Sequence, residues 1–223
     1  MHIKRLALPK TWQIPRKEIR FATRPSAYLE KSLPVNIIFR DILHYAGTSR
    51  EVKTILNKKE ILVDGVRRKD IHFPVSLMSV LSINETGENF RMLVNSKGKL
   101  FLRKISKEEA ALTPYKITNK TALKGGKLQI NLSNGMNITA SGYETNDTLF
   151  LKLPGNEVAA HIKFEKGALV YFSGGSMVGK TGVIDEIKGK TLLVKSGGKS
   201  TETFSKFAIA IGKEKPLISI DAI

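Results

Sequence analysis

Cysteine is absent from the 223 residues, which excludes disulfides, thiolate zinc sites and cysteine nucleophiles and suits the cytosol. Histidine is scarce. His2, His44, His72 and His161 stand far apart without metal-ligand spacing, so they read as isolated surface or half-buried side chains and no metal site is expected. No apolar run approaches the about 20 residues needed to span a bilayer, and no signal-peptide core opens the chain, so no membrane partner is expected. Acids are outnumbered, with 20 Asp and Glu against 37 Lys and Arg and a net charge of +17. Self-repulsion of that size burdens folding unless a polyanion offsets it, so a nucleic acid is the expected partner.

The cations are unevenly spread. Residues 1–34 carry eight Lys and Arg against two acids, residues 35–104 thirteen against seven, and the remainder sixteen against eleven. All ten arginines lie within the first 103 residues. Arginine's planar fork suits bidentate phosphate contacts and stacking on bases, whereas lysine is a point charge that also serves solubility. The N-terminal half should therefore face the nucleic acid most intimately.

One stretch argues for a different chemistry. Gly174-Gly-Ser-Met-Val-Gly179-Lys180-Thr181 matches the phosphate-loop pattern, in which glycine amides wrap a phosphate, the lysine neutralises it and the threonine holds magnesium. That mechanism needs a helix after the loop. Thr181 is succeeded by Gly182-Val183-Ile184, with Gly189 seven residues beyond Gly182, which makes a poor helix. The segment reads as strand, Lys-Gly-Lys turn, strand. Only 49 residues lie beyond Gly174, too β-like for parallel strands with helical crossovers. No nucleotide and no other cofactor are expected.

The chain divides into four parts: a basic extension, 1–34; a helix–hairpin module with its succeeding strands, 35–104; a central β domain, 105–166; and a C-terminal β part, 167–223. The extension holds the sole tryptophan, Trp12, and four prolines, with no sustained period. It reads as a segment that orders on RNA, Trp12 and Phe21 packing or stacking while Lys4, Arg5, Lys10, Arg16, Lys17, Arg20 and Arg24 take phosphates. In the module, Val35, Ile38, Phe39 and Ile42 recur at helical spacing, ending at Gly47. Thr48-Ser-Arg-Glu51 is a capping box for a second helix, and Asp64-Gly65 is a two-residue hairpin turn. Arg50, Lys53 and Asn57 share one outward helix face. Arg40 on the first helix, and Lys58, Lys59, Arg67, Arg68 and Lys69 around the hairpin, complete a cluster that fits RNA phosphates. The central segment, eight Lys and Arg against six acids, reads as a barrel-like spacer or protein contact. Asp147, Glu157 and Glu165 read as ordinary surface carboxylates, and no catalytic set is legible.

These segments also carry a resemblance. Residues 34–83, PVNIIFRDILHYAGTSREVKTILNKKEILVDGVRRKDIHFPVSLMSVLSI, resemble the "S-four" RNA-binding motif. HIKRLALPKTW, the Arg24-Pro-Ser triplet and INETGENFRMLVNSKGKLFLRKI resemble the archaeal and eukaryotic small-subunit ribosomal protein family called S-four-e, and the likeness extends over nearly the whole chain. It implies that VYFSGGSMVGKTGVIDEI is a KOW motif with Gly182 as its central glycine, and that Lys180 contacts RNA. Gly65, Gly179 and Gly182 are then structural glycines. The implied fold is α+β and mostly β: a helix-pair-plus-hairpin module, a central β-barrel-like domain and a C-terminal SH3-like barrel. The implied role is non-enzymatic, a cytoplasmic constituent of the small ribosomal subunit that binds its RNA beside neighbouring ribosomal proteins. An RNA-modifying enzyme or accessory RNA-binding factor carrying the same motif is the alternative, with an NTPase and a KOW-containing transcription factor behind it.

Overall fold

The computed structural model describes residues 2–15, 17–155, 157–213 and 215–220. The chain forms two compact units, one made of Met1–Val94 and Gly98–Ala111, the other of Asn95–Lys97 and Leu112–Ile223.

The first unit begins with β1 (His2–Lys4) paired antiparallel to β2 (Phe21–Thr23). Next come β3 (Ser32–Pro34), α1 (Val35–Ile37), which runs into a π-helical turn at Ile38–Ile42, and α2 (Ser49–Lys58). After these come β4 (Ile61–Val63), β5 (Val66–Arg67), β6 (Pro74–Ser76), β7 (Val80–Ile83), β8 (Glu88–Val94), β9 (Leu100–Ile105) and α3 (Lys107–Ala110). Five of these strands make an antiparallel sheet in the order β5-β4-β7-β8-β9, while β3 pairs with β6. Leu33, Val35, Ile37, Ile38, Val52, Leu56, Ile61 and Leu81 are fully buried; two short amphipathic helices have only the strands to cover their apolar stripes.

The extension departs from expectation. It is folded within this unit, with Leu8, Trp12, Ile14 and Ala22 buried. Trp12 Nε1 donates to Leu29 O at 3.2 Å, and the Leu100 amide donates to Thr11 O at 2.7 Å. The apolar residues between its cations are core residues with distant partners. The first helix is also not regular. Leu43 N bonds Ile38 O (2.8 Å), an i→i−5 step, and Tyr45 N bonds Phe39 O (2.9 Å). His44, at φ 55°, takes the left-handed position that ends the turn. Gly47 therefore does not stop this helix; its amide donates to Glu51 Oε2 at 2.8 Å and belongs to the start of α2.

The capping box forms as read. The Glu51 amide donates to Thr48 Oγ1 (3.3 Å), and Thr48 Oγ1 donates to Glu51 Oε1 (2.9 Å). The Gly47 amide, then the Thr48 hydroxyl, hold the Glu51 carboxyl below its ordinary range. With its folded value depressed, the carboxylate adds stability above its unfolded value that is lost as pH falls through the folded one. Thr48→Ala should lower the stability of this unit by about 1 kcal/mol, read from urea denaturation monitored by Trp12 emission. An unchanged midpoint would remove the cap from the account.

In the second unit β10 (Leu112–Ala122) is the long central strand, succeeded by β11 (Leu128–Leu132), β12 (Asn137–Thr139), β13 (Thr148–Lys152) and β14 (Glu157–Ile162). They form a sheet in the order β12-β11-β10-β13-β14. Tyr115, Ile117, Ile130, Leu132, Leu149 and Leu151 make its core. The last strands, β15 (Leu169–Phe172), β16 (Thr181–Lys188), β17 (Thr191–Ser196), β18 (Lys199–Phe204) and β19 (Ala208–Gly212), make the SH3-like sheet in the order β18-β17-β16-β15-β19. Lys116 links the two sheets. Only 5% exposed, it donates through Nζ to Ser205 O at 2.6 Å and Ala208 O at 2.9 Å, which satisfies its charge by hydrogen bonding.

Candidate nucleic-acid interface

The phosphate-loop pattern does not fold into a nucleotide cradle. The loop 173–180 joins antiparallel strands, with Tyr171 paired to Thr181, and it leads into a strand. Three of its amides are occupied locally. Val178 N donates to Gly175 O (3.3 Å), Gly179 N to Phe172 O (2.8 Å) and Lys180 N to Met177 O (3.1 Å). A strand and not a helix follows the loop, so the helix dipole that the phosphate-binding mechanism needs is missing. Lys180→Ala and the unaltered chain should give the same flat titration with ATP and magnesium; a saturable signal lost in the variant would restore the nucleotide reading.

The glycines have separate reasons. Asp64 and Gly65 at φ 51° and 74° make the primed turn that joins β4 to β5 with Val63 opposite Val66. Gly179 has φ +72°, and a Cβ there would also meet the Asn95 backbone, with Asn95 O at 2.6 Å. Gly182 lies inside β16 in ordinary extended backbone; a Cβ would collide with the Val194 side chain and lie 3.1 Å from Lys195 O. Close strand approach, not turn geometry, excludes a side chain there.

In the first unit the helix–hairpin module brings much of the expected cluster together. Val52 and Leu56 turn α2's apolar side inward, leaving Arg50, Lys53 and Asn57 exposed on the other. Arg67 Nη2 donates to Asn57 O at 3.1 Å, tying the hairpin to the C-terminal end of α2 and placing a cation where the helix dipole favours one. Lys58 and Lys69 are exposed beside this junction. Lys59 is exposed but paired with Glu85 at 2.8 Å. The Arg68 guanidinium lies 4.2 Å above the Phe73 ring, half-buried. Arg40, on the π turn, pairs with Asp41 at 2.8 Å and donates to Ser49 Oγ at 3.3 Å.

Two expected RNA contacts are corrected. Arg5 is 1% exposed; its Nη1 donates to Pro15 O at 2.6 Å, with Glu18 at 3.8 Å and Asp41 at 3.7 Å. Trp12 is 4% exposed and cannot stack on a base. Both are framework residues because a folded extension needs an interior. Lys4, Lys10, Lys17, Arg20 and Arg24 are exposed; Arg16 lies outside the described residues. In the second unit Lys180 is exposed.

The sequence reading missed a further pair of groups. Phe204 is 52% exposed, and the Lys206 ammonium sits 5.5 Å from its ring centroid and 4.7 Å from that of Phe207. The signal was present: Glu202 and Phe204 share a face of β18 by strand alternation, so the ring had to point outward. Elsewhere cations are engaged. Lys104, then Tyr45, hold the Glu88 carboxyl low, and Lys195 does the same for Asp185. Among the described residues no group of three or more side chains could hold a metal, and no helix is long and apolar enough to cross a membrane.

A helix pair and hairpin rimmed by exposed lysine and arginine, joined in one chain to a KOW-bearing SH3-like sheet, define a basic RNA-binding protein. Similarity to known proteins narrows the class. Residues 86–158 match the model "Ribosomal family S4e", and residues 1–27 match the "RS4NT (NUC023) domain". A small ribosomal subunit protein eS4 from Methanosphaera stadtmanae is 41% identical, the match covering 98% of this chain and 95% of that protein. The eS4 of Archaeoglobus fulgidus is 39% identical, with 99% and 98% covered. The crystal structure of 30S ribosomal protein S4e from Thermoplasma acidophilum superposes with a TM-score of 0.73 at 27% identity, covering 82% of this chain and 96% of that one. The chain belongs to ribosomal family S4e, whose members are structural components of the ribosome and not enzymes.

Proposed function

We infer that the exposed cations of the helix–hairpin module and the folded extension grip ribosomal RNA. The protein is a structural constituent of the small ribosomal subunit in the cytoplasm, binding its RNA and standing beside neighbouring ribosomal proteins. The observation that carries the assignment of the binding face is the junction of α2 and the β4–β5 hairpin. There Arg50, Lys53, Lys58 and Lys69 are exposed, while Arg67 fixes the two elements together. Neutralising phosphates releases condensed counterions, which supplies affinity without sequence reading. Arg50, Lys53 and Lys58 all belong to α2, so their points of attachment have the fixed spacing of one helix, which an RNA fold must match. The near-neutral central sheet serves as a spacer or a protein contact.

The test uses the full chain reconstituted into small subunits that lack it. Ultraviolet cross-linking and subsequent peptide mapping should place nucleotides on residues 50–69 and on the extension. Cross-links confined to the second unit would overturn the assignment of the face, and failure to sediment with the particle would overturn the function.

A further inference from the structure

The N-terminal segment contains an open depression of about 520 Å³ lined by Lys4, Arg5, Leu6, Lys17, Ile19 and Arg20. That volume falls within the roughly 300–1,000 Å³ of sites that enclose a small ligand. Its lining combines two chemistries. Leu6 and Ile19, 75% and 53% exposed, bring two aliphatic side chains to the same solvated depression. The four other lining residues are all cationic. Glu18 and Asp41 lie 3.8 and 3.7 Å from the Arg5 guanidinium and offset its charge. Among the described residues, Lys4, Lys17 and Arg20 have no ion pair. Arg5 anchors the floor through Pro15 O, and its buried Nε–H has no acceptor among the described residues. Beside Arg20, whose guanidinium lies 5.4 Å from its ring centroid, Phe21 is 41% exposed and extends the apolar surface.

We propose that this depression receives one unpaired ribonucleotide, its base against Leu6 and Ile19 and its flanking phosphates on Lys4, Lys17 and Arg20. The proposal rests on the reading of the chain as an rRNA-binding protein and names the form of RNA that this part of it takes. A base inside a duplex is stacked on both faces and cannot enter a depression; a base in a loop or bulge can be splayed out and buried. A free inorganic anion would gain nothing from aliphatic walls. Three cations around an apolar centre match one base between its phosphates.

The experiment compares two fluorescein-labelled probes on the full chain, single-stranded oligouridylate and a blunt RNA duplex with the same number of phosphates. The double variant Leu6→Ala/Ile19→Ala should bind oligouridylate about tenfold more weakly and the duplex as before, with an unchanged salt slope on both. The second variant, Lys17→Ala/Arg20→Ala, should lower the oligouridylate salt slope by about 1.4, at about 0.7 per phosphate contact. Trp12, buried within the same folded extension, reports by its emission that each variant keeps its fold. An aliphatic variant that binds both probes unchanged, or loses both equally, overturns the nucleotide pocket and leaves rRNA binding standing. Stronger competition by polyglutamate than by unlabelled oligouridylate would assign the depression to an acidic peptide and also overturn it. An unaltered chain that binds neither probe at low salt removes the RNA-binding reading itself.

Discussion

Raising salt from 50 to 200 mM should weaken binding of the full chain to small-subunit ribosomal RNA by roughly 10³–10⁵-fold, the range for six to ten neutralised phosphates on duplex DNA. The exposed cations on the first unit supply that number. Lys4, Lys10, Lys17, Arg20, Arg24, Arg50, Lys53, Lys58 and Lys69 are all exposed, and none shares an ion pair among the described residues. Arg5 is excluded by its burial, Lys59 by Glu85 and Arg40 by Asp41. Substituting Lys53, Lys58 and Lys69 together by alanine should reduce the slope of log K against log salt by about one unit per contact removed. A filter-binding series with no salt dependence would remove counterion release as the source of affinity.

Arg91→Ala should destabilise the first unit by about 3–5 kcal/mol, the cost of stripping one partner from a buried ion pair. Arg91 is 0% exposed on β8, between β7 and the edge strand β9, and its guanidinium pairs with the Glu109 carboxylate and also donates to Glu109 O at 3.0 Å. The pair fastens α3 to the sheet. Against a total stability of about 5–15 kcal/mol for a domain, such a loss brings the unit close to unfolding at ambient temperature. Arg91→Met with Glu109→Leu should recover much of it, because replacing both charges leaves neither buried alone. Urea titration by Trp12 emission measures both; a single variant as stable as the parent would mean that water, not protein, balances the charge.

Local signals were the legible ones. The Thr48–Glu51 box, the Asp64-Gly65 turn and the alternation from Thr181 to Ser196 are each decided within a few residues, and each forms as read. The failures share a different cause. Arg5 and Trp12 look like tail residues until Pro15, Leu29 and Asp41 are brought to them. Lys116 looks like one more surface cation until Ser205 and Ala208, far along the chain, offer their carbonyls. The π turn at Ile38–Ile42 keeps the apolar spacing of a regular helix, so nothing in the pattern marks it. For the interface, sequence spacing placed the face of α2 correctly, but the sorting of free cations from engaged ones depends on tertiary neighbours such as Glu85 and Phe73.

The hydrogen bond from Leu100 to Thr11 has a consequence for biosynthesis. Thr11 cannot meet this partner until residue 100 has been made, a wait on the order of 4–18 s at about 5–20 residues per second. Throughout it, a strongly cationic leader with an unhoused indole ring trails from the polysome, open to capture by a chaperone or by stray polyanions. Cutting that leader away in an expression experiment would therefore open the hydrophobic interior, and poor solubility of such a fragment would report a missing wall.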